Sequence, residues 1–260
     1  MGRRDGQAGQ GGSAPATGSG AALSPWSGRA RLAPRQARGA LLAGVVVTLL
    51  AIGCEYSGLD LYLAGLVYEP ATGSWPYRSL VLTSTVLHTG GRHFVVLLGL
   101  TTLLLLLASY RLRALAPYRR ALIFTLLTAA TGPAIVSLLK STTHIYTPWS
   151  LARFGGDMPY VRLFDGAPAG SLPGHAFPGG HASGGFAWFG PYFLLLAAGS
   201  RWRRPALLFP LLLGGVFALT QELRGAHFLS HDLISLAICW TATLCWALVY
   251  LGGEEPAAGQ

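Results

Sequence analysis

The sequence predicts an all-α membrane protein, a polytopic bundle of about six transmembrane helices, and three observations carry that prediction. Of its 260 residues, 52% are hydrophobic and only 11% charged, against about 25% charged in a typical soluble domain. A chain of this length could bury its own core, so a mean hydropathy of +0.46 calls for a second apolar solvent, and lipid is the simplest. The apolar residues also fall into runs of roughly 15–20, the length that crosses a hydrocarbon layer of about 30 Å. Finally, the net charge of +9 comes mainly from arginines grouped in short segments between those runs. That is the pattern of cytoplasmic loops, and it argues against a nucleic-acid partner.

In chain order, residues 1–38 are Gly, Ala, Ser, Pro and Arg with few large apolar side chains. Such a segment buries too little surface to fold and is expected to be a disordered basic tail. The run that follows is long enough to be a retained anchor rather than a cleaved signal. Spans are expected at 39–56, 94–110, 121–139, 182–198, 206–220 and 233–251, within a membrane domain at 39–252 followed by a short tail, 253–260. The fourth and fifth contain Gly and Pro, which membrane helices tolerate better than soluble ones. The stretch 57–91 shows no catalytic pattern; LDLYLAGLVY suits a short interfacial helix, and His88 and His93 read as interfacial residues flanking the second span. Cys54, Cys239 and Cys245 lie within apolar runs, read as small buried hydrophobes, and lack the spacing of a metal site.

Arginine placement orients the chain. The first tail, the YRLRALAPYRR loop and the SRWRRP loop fall on one side if there are six spans, so that side is cytoplasmic and both tails are inside. In a bacterial inner membrane the other side is periplasmic or outer. Three polar segments meet that outer face: KSTTHIYTPWSLARFGGDMPY, FPGGHASGGF and QELRGAHFLSHD. With His175 they hold five of the seven histidines, and ionisable residues near a bilayer mark functional sites by default.

Each segment supplies one part of a phosphate-ester site. Gly179 and Gly180 precede His181 at the start of the fourth span, where backbone N–H groups can bind an anion and the glycines allow close approach. His181 stands where a general acid for a leaving oxygen belongs. In the third segment His227 is a candidate nucleophile, with His231 and Asp232 as candidates to hold its far ring nitrogen. His227, His231 and Asp232 also have a spacing that can bind zinc. The cations crowding the same face, Lys140, Arg153 and Arg224, favour phosphate instead. Arg162 is left to headgroup contact.

Together these segments resemble the signature of the type 2 phosphatidic acid phosphatase family, the membrane relatives of the vanadium haloperoxidases. The resemblance extends over roughly residues 85–250. The family pattern is Lys-x6-Arg-Pro, then Pro-Ser-Gly-His, then Arg-x5-His-x3-Asp. Here Lys140 and Pro148 match the first motif, with Thr147 at the arginine position and Arg153 as the nearest substitute. Pro178, Gly180 and His181 match the second, with Gly179 in place of serine. His227 matches the nucleophile of the third. Gln221 stands at its arginine position with Arg224 nearby, and His231 stands at its aspartate position with Asp232 one residue on.

What the resemblance implies is a phosphohistidine mechanism needing no metal or cofactor. His227 attacks phosphorus, His181 protonates the leaving oxygen, and Lys140, the arginines and the Gly179–Gly180 amides stabilise the phosphoryl oxygens. The expected substrate is a lipid phosphate monoester or a polyprenyl diphosphate drawn from the surrounding membrane lipids. A lipid phosphotransferase would use the same residues, and a membrane protein that binds phosphate without turnover is the competing class. The sequence does not fix the oligomeric state.

Overall fold

Helix α1 (Pro34–Tyr56) opens with proline in its first turn, where the missing N–H costs nothing. In this computed structural model residues 30–252 are described. The expectations for residues 1–29 and for the tail 253–260 lie outside the described residues, but α1 already begins at Pro34 rather than near Gly39. It is followed by the short helix α2 (Leu59–Val67), a π-helical stretch (Leu82–Gly90) that runs straight into α3 (Gly91–Ser109), and α4 (Arg119–Lys140). After a long loop come α5 (Gly180–Phe186), α6 (Gly190–Ala197), α7 (Arg203–Leu223) and α8 (Leu229–Leu251). The only β-pairing among the described residues is two isolated bridges, Glu69–Ser74 and Leu151–Met158.

Five of these helices are long and apolar enough to cross a membrane: Pro34–Tyr56, Leu82–Ser109, Ala116–Lys140, Arg203–Leu223 and Leu229–Leu251. The protein is an integral membrane protein with an all-α bundle. Leu42, Leu49 and Leu50 on α1 and Leu97, Leu100 and Leu104 on α3 lie exposed, as side chains solvated by lipid must. The second span begins about three turns earlier than expected, because the polar residues at 82–92 are helical and continue into α3.

The expected fourth span is broken. A 3-10 turn at Ala187–Phe189 separates α5 from α6, with Trp188 in a non-helical conformation (φ −93°, ψ 27°) and Gly190 and Pro191 after it. It still passes from one end of the bundle to the other. Gly180 lies beside Lys140 at the end of α4, and the Leu196 carbonyl accepts from Gln36 at the start of α1 (3.3 Å). The segment is wedged tightly between its neighbours. A Cβ on Gly185 would overlap the backbone of α7 at Gly214, so the two glycines set the close approach of α5 and α7.

The arginine-rich ends gather at the Gln36–Leu196 end. There Leu32 N–H donates to Leu251 O (3.1 Å) and Arg120 donates to Tyr250 O (3.2 Å). At the opposite end the loop after α4 folds back over the bundle. Trp75, Tyr146, Leu151, Phe154, Val161 and Phe228 form an apolar cluster there, and Trp149 N–H donates to Gly225 O (3.0 Å). That cap pins the turn between α7 and α8 against the loop.

Candidate active site

Lys140 ends α4, and its Nζ lies 3.6 Å from where a Cβ on Gly180 would sit. Gly180 opens α5, and His181 follows in its first turn. The His181 ring stacks on Phe217 of α7 (centroids 4.3 Å apart), and its Nε2 lies 3.3 Å from the carbonyl of Leu87. A carbonyl only accepts, so Nε2 carries the proton and donates. Lys140, Gly180 and His181 line one cavity of about 590 Å³. Its other walls come from His88 of the π-helical stretch, Arg92, Val95 and Val96 of α3, Pro133 and Val136 of α4, and Phe217 of α7.

His227 lies outside the helices, two residues before α8, and so does not share a helical face with His231 as a helix start near residue 227 would give. Gly225 makes this position possible. Its φ of +70° turns the chain at the end of α7, and a side chain there would overlap the Trp75 ring. His227 is 6% exposed and its Nδ1 has no hydrogen-bond partner. Burial pushes its pKa well below the usual histidine range. The charge of Lys140 and the neighbouring His231 lower it further, the Ala176 carbonyl opposes them, and His181 adds to the lowering. His227 lines a separate cavity of about 160 Å³ together with Asp60 and Glu222.

His231 and Asp232 sit in the first turn of α8, 1% and 2% exposed. The His227 and His231 ring centroids are 5.8 Å apart. Among the described residues no hydrogen bond joins His227 to either candidate orienting residue, and both carboxylate oxygens of Asp232 lack partners. The Asp232 carboxylate instead packs on Gly179, where an added Cβ would overlap Oδ1. Gly179 N–H donates to His231 O (3.1 Å), and Ser235 Oγ donates to Gly179 O (2.9 Å), which locks the glycine turn to α8. The absence of a side chain at 179 and the presence of a carboxylate at 232 are therefore one steric fact.

The structure thus brings Lys140, Gly179, Gly180, His181, His227, His231 and Asp232 to one end of the bundle. Arg224 caps α7 and reaches the site indirectly: it donates to Gln221 Oε1 (3.1 Å) and, through Nε, to Arg78 O (3.1 Å). Burial lowers the Arg224 pKa, with Arg78 adding to it. Arg153 is exposed in the 3-10 turn Ala152–Phe154 and makes no hydrogen bond or ion pair among the described residues, so the structure does not join it to the others. Thr147, at the expected arginine position, bonds Ser150 Oγ (2.7 Å) instead of reaching inward. His227, His231 and Asp232 do not converge as a metal-ligand set; no such cluster occurs among the described residues.

Two neighbours of these residues come from the stretch read as having no catalytic pattern. His88, read as interfacial, lines the large cavity together with Lys140 and His181. Its ring lies 4.6 Å from that of His181, and its Nδ1 lies 2.7 Å from Gln221 Nε2. Its signal was its place in a π-helical stretch, a form that recurs at functional sites but has no sequence rule. Asp60 of α2 is 1% exposed; Oδ1 accepts from Ser230 N–H (3.1 Å) and Oδ2 is unpartnered. Burial raises its pKa, against the opposing hydrogen bonds from Ser230. An acidic residue in an apolar run, LDLYLAGLV, was the available clue.

Residues 120–253 match the model of the PAP2 superfamily. No curated protein and no solved structure matches the chain.

Proposed function

The chain belongs to the PAP2 superfamily, and on that premise we propose that it is a membrane phosphatase that hydrolyses a lipid phosphate monoester or a polyprenyl diphosphate. One observation carries the lipid part of this reading. The cavity holding Lys140, Gly180 and His181 continues along the apolar residues Val95, Val96, Pro133 and Val136. From Lys140 to Pro133 the wall runs down α4 for about 10 Å at roughly 1.5 Å per residue. A phosphate at the polar end would leave its chain lying in the apolar slot.

The chemistry proposed is two successive displacements at phosphorus. The lone pair of a His227 ring nitrogen forms the N–P bond as the P–O bond to the lipid breaks. Protonated His181 gives its proton to the leaving oxygen, using Nδ1 because Nε2 is engaged with Leu87. Neutral His181 then takes a proton from water as that water attacks phosphorus, the N–P bond breaks, and inorganic phosphate leaves. Deep burial suits His227 to this role, since it keeps the imidazole unprotonated at neutral pH. Lys140 and the Gly180 amide are assigned to the phosphoryl oxygens, the Gly179 N–H being engaged by His231 O. His231, Asp232 and Arg224 support the walls of the site in this reading, and Arg153 has no assigned contact.

A second reading, phosphate binding without turnover, draws on a different observation: His227 lines the small cavity and not the large one. Phosphate release from a short panel of lipid phosphates by the purified protein separates the two. Release that falls in the His181→Ala and His227→Ala variants supports the phosphatase. Binding with no release above a mock preparation supports the second reading. Appearance of the phosphate on an added acceptor lipid would instead identify a phosphotransferase.

The proposed orientation puts the histidines outward, on the periplasmic or outer face of a bacterial inner membrane, and the arginine-rich end in the cytoplasm. Single cysteines at Asp157, exposed in the loop after α4, and Ala116 test it. In intact cells an impermeant thiol reagent should label position 157 and spare 116; the reverse would overturn the orientation.

A further inference from the structure

The large cavity carries more positive charge than Lys140 alone. Arg92, in the first turn of α3, lines it beside Lys140 and His181, and no carboxylate pairs with Arg92 among the described residues. His88, one turn earlier, lines it as well. The state of His88 follows from its neighbours. Arg224 donates to Gln221 Oε1, which fixes the amide so that Gln221 Nε2 is the donor facing His88 Nδ1. Nδ1 must then be the acceptor, and the proton of neutral His88 resides on Nε2. The relay from Arg78 O through Arg224 and Gln221 thus holds His88 as an N–H donor in a known tautomer.

We propose that Arg92 and His88 bind the phosphate group in this cavity, Arg92 as a charged fork and His88 as a neutral donor set by Gln221. The assignment accounts for two positions that otherwise leave the site short of charge. Thr147 bonds Ser150, and Gln221 is spent on the relay, so neither supplies a cation. Arg92 sits a turn out from the apolar residues Val95 and Val96, where a lipid phosphate would have its headgroup. The shared chemistry is a phosphate group; whether it belongs to free phosphate or to a lipid is separable by experiment. The assignment rests on the phosphatase reading for its substrate but not for the binding itself.

The test is calorimetric binding of inorganic phosphate and of dodecyl phosphate to the full-length protein in detergent, with unfolding midpoints to confirm folding. Wild type should bind dodecyl phosphate more tightly than inorganic phosphate. Arg92→Ala should weaken both by about ten- to a hundred-fold, the loss expected for a charge-assisted hydrogen bond, and Arg92→Lys should recover part of it. Gln221→Leu should weaken both by a smaller factor and change the ¹⁵N shifts of the His88 ring, a tautomer readout that a purely structural role would leave unmoved. Arg201→Ala, at the other end of the bundle, is the control and should bind as wild type. If Arg92→Ala does not fold, Arg92→Gln and Arg92→Lys replace it. Phosphate binding that is absent in wild type, or equal in wild type and a folded Arg92 variant, overturns the proposal. Arg92-dependent binding in a protein that never releases phosphate upholds it and overturns the phosphatase reading; turnover with Arg92-independent binding does the reverse.

Discussion

His181 and His227 differ in almost every respect that chemistry can use, although both belong to one recognisable pattern. His181 is half-buried, faces a cavity of about 590 Å³ and has one ring nitrogen engaged by a backbone carbonyl. His227 is sealed in, with Nδ1 unpartnered beside a cavity of about 160 Å³ lined by two acids. The first is open to a ligand and solvent. The second is enclosed, and desolvation lowers its pKa. The contrast is one of access: a single bundle end opens one imidazole onto a wide cavity and encloses another beside buried acids, with no change of residue type.

Removing each histidine is the strongest way to break that contrast. His227→Ala should abolish phosphate release from lipid and activated aryl phosphates alike. His181→Ala should cost about 10²–10⁴-fold on a lipid phosphate and much less on an aryl phosphate, whose leaving oxygen needs no proton. Steady-state rates on the two substrates measure it, and equal losses for both variants on both substrates would erase the division of labour.

The glycine turn that connects the two regions gives the next effect. Gly179→Ser inserts atoms where Asp232 already sits, so the variant should lose about 1–3 kcal/mol of stability, as overpacked sites do. Asp232→Ala in the same protein should return most of that loss, a coupling that a thermal double-mutant cycle reads directly. Additive effects would mean that the two positions are not sterically linked.

On the His227 side, Asp60 should matter through one oxygen. Asp60→Asn keeps the acceptor for Ser230 N–H and should unfold near the wild-type midpoint. Asp60→Ala leaves that buried donor unpaired and should cost about 1–3 kcal/mol. Unfolding midpoints of the two variants measure the difference. The smallest effect is on pH. His227 has a folded-state pKa depressed below its ordinary 6.5, so its contribution to stability is present above that value and is lost as pH falls below it towards the folded pKa. The decline in unfolding midpoint between about pH 7 and pH 5 should be shallower in His227→Asn than in wild type.

How much of this was readable beforehand follows from the range of each interaction. Apolar runs report lipid exposure residue by residue, so the spans and the all-α bundle were legible, with α4 and α8 nearly in place. The break at Ala187–Phe189 was not, because its cause is contact: Gly185 against Gly214 and Gly190 against Thr128 belong to neighbouring helices. The motif order carried Lys140, Gly180, His181 and His227. His88 was hidden because its partners, Gln221 and His181, lie about a hundred residues or more away in sequence. Arg153 was chosen for nearness in the chain, whereas Arg92 reaches the cavity from a different helix. Asp232 was one of two candidates, with His231, to hold His227, and it lies against Gly179, a placement that helix phase alone could not give.

The central claim, that His227 carries the phosphoryl group, is tested most directly by trapping it. Full-length protein would be mixed with a ³²P-labelled lipid phosphate, quenched in alkali, and scored for base-stable, acid-labile label on the protein. Wild type should hold a small amount, His181→Ala more because breakdown of the intermediate is slowed, and His227→Ala none. Label that survives in His227→Ala, or phosphate released by wild type with no label trapped in any variant, would contradict the account.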